Sequence, residues 1–186
     1  VDLAVWHPAK KSEEGPLRIL FVGGDLYRKG GDDLLVAFRA LPKGTAELVL
    51  VTRTEVPPEP GIKVFNDMRP NTPELIALYR ACDVFVLPTK AEAFGIAAVE
   101  ASAIGLPVVA TRVGGLTDIV VDSETGLQMP PGDVEMLTSH LRMLAENHEL
   151  RRDLGRGARA RAEQCFDARI NAARMIDLLQ QIVTDG

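Results

Sequence analysis

The sequence predicts a doubly wound α/β domain on a parallel sheet, and three observations carry that prediction. Apolar runs such as Ile19-Leu20-Phe21-Val22 and Val84-Phe85-Val86-Leu87 are unbroken, which suits strands covered on both faces. These runs alternate with segments of helical spacing, and that alternation means βαβ units joined by right-handed crossovers. Glycine-rich turns follow several of the apolar runs, where such a sheet opens toward a ligand. A length of 186 residues fits one domain with a full core.

The elements read in order as follows. Val1–Pro8 reads as the end of a linker or strand, and Lys10–Pro16 as polar linker closed by Gly15-Pro16. Residues 1–16 are therefore expected to be linker, and 17–186 the domain proper. Leu17–Val22 is a strand that ends at Gly23-Gly24. Asp32–Leu41 is a helix with Leu34, Leu35 and Phe38 at helical spacing. Leu48–Val51 and Ile62–Phe65 are strands, separated by a Pro57–Gly61 stretch that no helix or central strand tolerates. Thr72 caps a helix with Pro73 at its first position, running to about Ala81. Val84–Leu87 is a strand, Phe94–Ile104 a helix and Val108–Ala110 a strand. Gly114-Gly115 opens a short helix reaching Val121, and Gly126–Met129 is the last strand. A helical C-terminal segment follows. Asp133 caps a helix striped by Val134, Leu137, Leu141 and Leu144. Two more helices span roughly Glu149–Gln164 and Ala168–Val183, with Asp167 as the cap between them.

Composition excludes several functions. A net charge of −5 provides no basic field for nucleic acid. No apolar run approaches the ~18 residues of a membrane span. Cys82 and Cys165 lie far apart and belong to no CxxC pattern, which fits a reducing cytoplasm. His7, His140 and His148 have no metal-ligand spacing, so no metal site is expected, and His140 and His148 read as solvated helix residues. Arg152, Arg156 and Arg159 share a helical face beside Arg151 and Arg161. An anionic membrane surface could use such a face. A solvated face paired to Glu149, Asp153 and Glu163 is the favoured reading, because large apolar anchors are missing.

Three loops stand where a doubly wound sheet binds ligands. Gly23–Gly31 joins a strand to a helix. Its glycines, Gly23 and Gly24 among them, allow close backbone approach to an anion, and Arg28 and Lys29 add positive charge. It is neither GxGxxG nor a P-loop, and alone it is equally well a glycine turn with two solvated cations. In Pro88–Glu100, the predicted helix start at Phe94 leaves the amides of Gly95, Ile96 and Ala97 as donors to a phosphate or sugar oxygen. Glu92 sits just before that helix and Glu100 within it, among Ala, Val and Ile. A carboxylate there is costly unless partnered. Vicinal ribose hydroxyls are one good partner; a buried Arg or a backbone amide is another. Thr111–Gly115 is the third loop, with Asp118 in the first turn of the helix it opens.

Together these pieces resemble the C-terminal half of the retaining GT-B glycosyltransferases, often called group 1. The resemblance rests on Phe21-Val22-Gly23 with Lys29-Gly30, on Pro88-Thr89-Lys90-Ala91-Glu92-Ala93-Phe94-Gly95 completed by Glu100, and on Gly105–Ala110 with Gly114-Gly115. Gly126-Leu127 with Pro130–Asp133 continues it, and Val1-Asp2-Leu3 with Trp6-His7-Pro8 is similar to the family's interdomain linker, which makes residues 1–16 an interdomain linker remnant. It implies a Rossmann-like fold, one half of GT-B, that binds a nucleotide-diphospho-sugar for retaining, metal-independent glycosyl transfer. The sugar nucleotide, UDP-, GDP- or ADP-linked, is then a substrate, and no cofactor is expected. Lys29 would contact the donor phosphates and serve catalysis with Glu92, which would face the donor sugar. Phe94–Ala97 would present amides to sugar and phosphate, and Glu100 would hold the ribose. The acceptor would sit on an N-terminal domain outside this chain.

The chain also departs from the family. Many members carry Arg where this chain has Gly24, and Arg28 is a candidate substitute for that charge. The usual glycine-rich loop after the second strand is replaced by Thr52-Arg53-Thr54. Rival readings are a non-catalytic nucleotide-binding module, a related epimerase or phosphorylase, and a dinucleotide-binding redox domain. The last lacks GxGxxG after the first strand.

Overall fold

The computed structural model describes residues 1–9 and 15–184. The readings placed on 10–14 and on 185–186 lie outside the described residues. Strands β1 (Leu17–Val22), β2 (Ala46–Val51), β3 (Ile62–Phe65), β4 (Val84–Leu87), β5 (Val108–Thr111) and β6 (Gly126–Met129) form one sheet in the order β3-β2-β1-β4-β5-β6. Every neighbouring pair of these strands is parallel. The apolar runs are the sheet's centre: every residue of β4 and β5 is buried. β3, at the edge, is only partly buried.

The helices are α1 (Gly31–Arg39), α2 (Pro73–Ala81), α3 (Ile96–Ile104), α4 (Leu116–Ile119), α5 (Val134–Glu146), α6 (His148–Cys165) and α7 (Ala168–Thr184). The chain steps outward from β1 to β3, then returns to β4 on the other side of β1. Right-handed crossovers therefore put α1 on one face and α2 and α3 on the other. α5 packs with α1 and α6 with α3, which completes both layers.

Most boundaries fall within two residues of those predicted, and two differences have physical causes. α3 starts at Ile96, not Phe94, because Gly95 has φ of +99° and cannot lie in a right-handed helix. Phe94 consequently turns outward, 45% exposed, and meets the ring of Phe166 edge-on. The short helix at Gly114-Gly115 shrinks to Leu116–Ile119, since both glycines are used for close loop contact.

The N-terminal segment is packed, not trailing. Trp6 is 2% exposed and stands edge-on to Tyr79, which stacks on Phe85. Arg80 and Arg159 donate to the carbonyls of Val5, Trp6 and His7.

The arginine face of α6 is paired as expected, Arg152 with Glu149, Arg156 with Asp153 and Arg159 with Glu163. Arg159 is nevertheless not a solvated side chain, for it also caps the carbonyl of Ala103. His140 is likewise half-buried: Nδ1 is enclosed without a partner among the described residues, while Nε2 meets the Gln128 carbonyl at 3.4 Å. No described helix is long and apolar enough to cross a membrane.

Candidate functional site

The strand order reverses direction at β1, between β2 and β4, and ligands of such sheets bind in the crevice at that switch point. The two loops predicted to matter most flank it. Gly23–Gly31 leaves β1, and 88–95 leaves β4. They touch directly: a Cβ on Gly30 would lie 2.0 Å from the Pro88 carbonyl oxygen, and Gly30 has φ of +73°. Only glycine meets both conditions. The contact delivers Lys29 to the crevice, where its ammonium forms an ion pair with Glu92. Both side chains are largely enclosed, 15% and 13% exposed.

The third loop supports the second. A Cβ on Gly114 would lie 1.7 Å from the Glu92 carbonyl oxygen, and one on Gly115 2.8 Å from the Phe94 Cα. The Gly115 amide donates to the Ala93 carbonyl at 3.2 Å. Thr111–Gly115 is thus the floor that holds Glu92–Phe94 in place, and its glycines serve packing.

Two helix N-termini face this end of the sheet, and they differ. At α1 the amides of Gly30 and Gly31 are already bonded back to Tyr27 and Leu26. Its first turn carries Asp32 and Asp33, each with a buried oxygen that has no partner among the described residues. Burial pushes the Asp33 carboxyl up, and the neighbouring Asp32 adds to this. The acids of this turn oppose an anion, which makes the start of α1 less suited to one than its glycines suggest. At α3 the first turn carries no acid. The amides of Gly95, Ile96 and Ala97 form no hydrogen bond among the described residues. That N-terminus, cationic by its dipole, is open to an anion.

Glu100 lies one turn into α3 and is 7% exposed. Among the described residues, neither an arginine nor a backbone amide holds it. Its Oε2 accepts from the Tyr79 hydroxyl at 3.0 Å, and Oε1 receives no hydrogen bond among the described residues. Burial raises its pKa above the ordinary carboxylate value, and the Tyr79 bond opposes this without cancelling it. The same enclosure drives the Tyr79 phenol far up. A buried carboxylate with one oxygen still unbonded is suited to donors from a ligand.

The remaining predicted residues fall around this core. Gly23 is buried, and a Cβ there would meet Lys29 Cβ and Cγ at 3.1 Å. Gly24 and Arg28 are exposed, and the Arg28 guanidinium forms no ion pair among the described residues. The structure therefore gathers Gly23, Lys29, Glu92, Gly95, Ile96 and Ala97 at one crevice, with Glu100 behind them. Sequence reasoning missed Tyr79, the partner of Glu100. Its signal was present in the Leu75, Ile76, Tyr79 spacing, which marks the buried face of α2.

The family model of glycosyl transferases group 1 matches residues 62–161, more than half of the chain. The chain belongs to this family. Glycogen synthase of Mycobacterium tuberculosis is 31% identical over 180 residues, covering 90% of this chain but 43% of that protein. The chain thus spans less than half the length of this family relative. Among solved structures, sucrose-phosphate synthase of Thermosynechococcus elongatus superposes with a TM-score of 0.84 at 27% identity, over all of this chain and 52% of that one. Alr3699/HepE of Anabaena, in complex with UDP-glucose, superposes with a TM-score of 0.83 at 20% identity, over 97% of this chain and 56% of that one. At that identity the fold is what the two share. Group 1 membership and the six-stranded parallel sheet agree with the fold and family that the motifs imply.

Proposed function

We propose that this chain holds the activated sugar donor, a nucleotide-diphospho-sugar, for a glycosyl transfer that retains anomeric configuration. The observation that carries the reading is the Lys29–Glu92 pair at the switch point, beside an α3 N-terminus with three unbonded amides. Cleaving the sugar–phosphate bond leaves its electron pair, and so a growing negative charge, on the diphosphate. Fixed donors aimed at that charge stabilise it without reorganising, and losing one costs ~10²–10³ in rate. Lys29 and the Gly95–Ala97 amides are such donors, and they supply this stabilisation without requiring a metal ion. Glu92, across from Lys29, positions the sugar, and Glu100 Oε1 accepts from the ribose hydroxyls. The acceptor sits on a domain that this chain does not include. The complex of Alr3699/HepE with UDP-glucose supports a sugar nucleotide as the ligand class.

Binding to the folded state raises stability by RT ln(1 + [L]/Kd), about 2.7 kcal/mol at a hundredfold excess over Kd. Melting the chain with UDP-, GDP- and ADP-glucose is therefore the direct test. We expect a rise in Tm with one of them, reduced at least tenfold in apparent affinity by Lys29→Ala. No rise with any of the three would remove the proposal.

A further inference from the structure

The loop after β2, Thr52-Arg53-Thr54, takes a form that sequence patterns do not explain. It is pinned from both sides. The Arg53 amide donates to the Gly24 carbonyl at 3.2 Å, and Thr54 Oγ1 accepts from the Leu26 amide at 3.1 Å. Asn66 reaches over from the end of β3 and donates to the carbonyls of Thr52 and Thr54, at 3.0 and 3.2 Å. This loop is therefore locked to the β1 loop.

The result is a placed guanidinium. A Cβ on Gly24 would sit 3.1 Å from Arg53 Nη2 and 3.2 Å from its Nε. On the adjacent residue, a Cβ on Gly23 would touch the stem of Lys29. Arg53 and Lys29 thus lie against consecutive residues, whose Cα atoms are about 3.8 Å apart. Lys29 is committed to Glu92. Arg53 has neither a carboxylate partner nor a hydrogen-bond acceptor for its guanidinium among the described residues. A cavity of about 300 Å³ opens beside it, between Val22, Gly23, Gly24, Thr52 and Asn66, at the carboxyl ends of β1 and β2. Gly24 does not need to be glycine for its backbone, since its φ is not in the left-handed region. The space that its missing side chain leaves is occupied by Arg53.

We propose that Arg53 is a second diphosphate-binding cation, laid over Gly24 so that it and Lys29 hold one anion between them. The inference rests on the donor-domain reading, and it adds a residue and a constraint: Gly24 and Arg53 are one unit. A guanidinium can bind a phosphate through two parallel N–H bonds, which an ammonium cannot.

The test measures Kd for UDP, GDP and ADP, each beside its own nucleoside, on the wild-type chain and three variants. Arg53 is exposed and unpartnered, so Arg53→Ala should fold and melt as the wild type does. We expect it to weaken the bound diphosphate by about tenfold or more, leaving the nucleoside unchanged. The double variant Gly24→Arg with Arg53→Ala should recover most of the loss, because the vacated space admits the new side chain. Lys29→Ala is the reference for the donor site. Loss with Lys29→Ala but none with Arg53→Ala would overturn the Arg53 role while leaving the donor reading standing. Equal losses for nucleoside and diphosphate would also overturn it, by assigning Arg53 to the base. Wild type that binds none of the three diphosphates would sink both.

Discussion

Glu100 is a costly residue in the empty domain. It is buried, has one protein hydrogen bond, and titrates above the ordinary carboxylate value because of burial. A carboxyl whose folded pKa is raised contributes its full stability below the unfolded value and loses it as pH rises through the folded one. At pH 7 the ionised Glu100 therefore destabilises the empty domain. Glu100→Gln keeps an acceptor for Tyr79 and removes the charge. We expect its Tm to exceed the wild type's at pH 7, with the gap closing as pH falls through the raised folded value and gone below about 4.5, the ordinary carboxylate value. A gap independent of pH would show that the buried charge is not its source. If Glu100 holds the ribose as proposed, the same change should weaken nucleoside diphosphate binding by about tenfold, because a charged acceptor is lost. Glu92 behaves differently. On the proposed donor reading, its pair with Lys29 ties up the ammonium that an incoming phosphate would need, so Glu92→Gln should bind a sugar-free nucleoside diphosphate severalfold tighter. Unchanged affinity by isothermal titration would mean that the ion pair opens freely.

Among the elements, α6 shows what a sequence pattern conceals. Its arginines draw attention, but its position is set by two glycines. A Cβ on Gly155 would lie 2.3 Å from the Gly105 carbonyl oxygen, and one on Gly157 2.1 Å from that of Glu124. Both obstacles are backbone, which cannot swing aside. Gly157→Ala should therefore cost about 1–3 kcal/mol, although alanine is the better helix former by about 1 kcal/mol. On a domain of this size that lowers Tm by several degrees. Arg156→Ala, on the exposed side of the same helix, is the control. Equal Tm for the two variants would refute the close packing.

These glycines also show where reading the sequence stops. Strand cores such as Val84–Leu87 were legible because burial on both faces admits only apolar side chains. Caps at Thr72 and Asp133 were legible because a side-chain oxygen satisfies a local amide, from Leu75 and from Met136. The start of α3 was misread by two residues, since a left-handed Gly95 looks in sequence like any other glycine. Glu100 was legible as a buried charge that needed a partner, and Lys29 as positive charge in a glycine loop. Tyr79 and Arg53 were not, because what they lie against, Glu100 and Gly24, comes from distant segments that only the fold brings together.

At the scale of the whole molecule, α7 stands apart from everything else. None of its residues is buried, whereas every other helix contributes to the core. Its start is tied down, with the Ala168 amide donating to Val1 and Arg169 paired to Asp2. Beyond that point Met175, Ile176, Leu178, Leu179, Ile182 and Val183 are all exposed. A lone helix of this length is marginal in water, because most helical stability in proteins comes from packing an apolar face. The rest of the fold therefore does not depend on it. Ending the chain at Asn171 should shift Tm by less than about 2 °C, a change under 1 kcal/mol for a domain of this size. Hydrogen exchange should agree, with amides from Arg174 to Thr184 exchanging far faster than those of α6, whose opening is tied to the core. A contiguous exposed apolar face also promotes self-association. The shortened chain should accordingly stay monomeric by sedimentation at concentrations where the full chain does not. A large fall in Tm on shortening would mean instead that α7 is part of the folding unit, and that its apolar face is covered in solution.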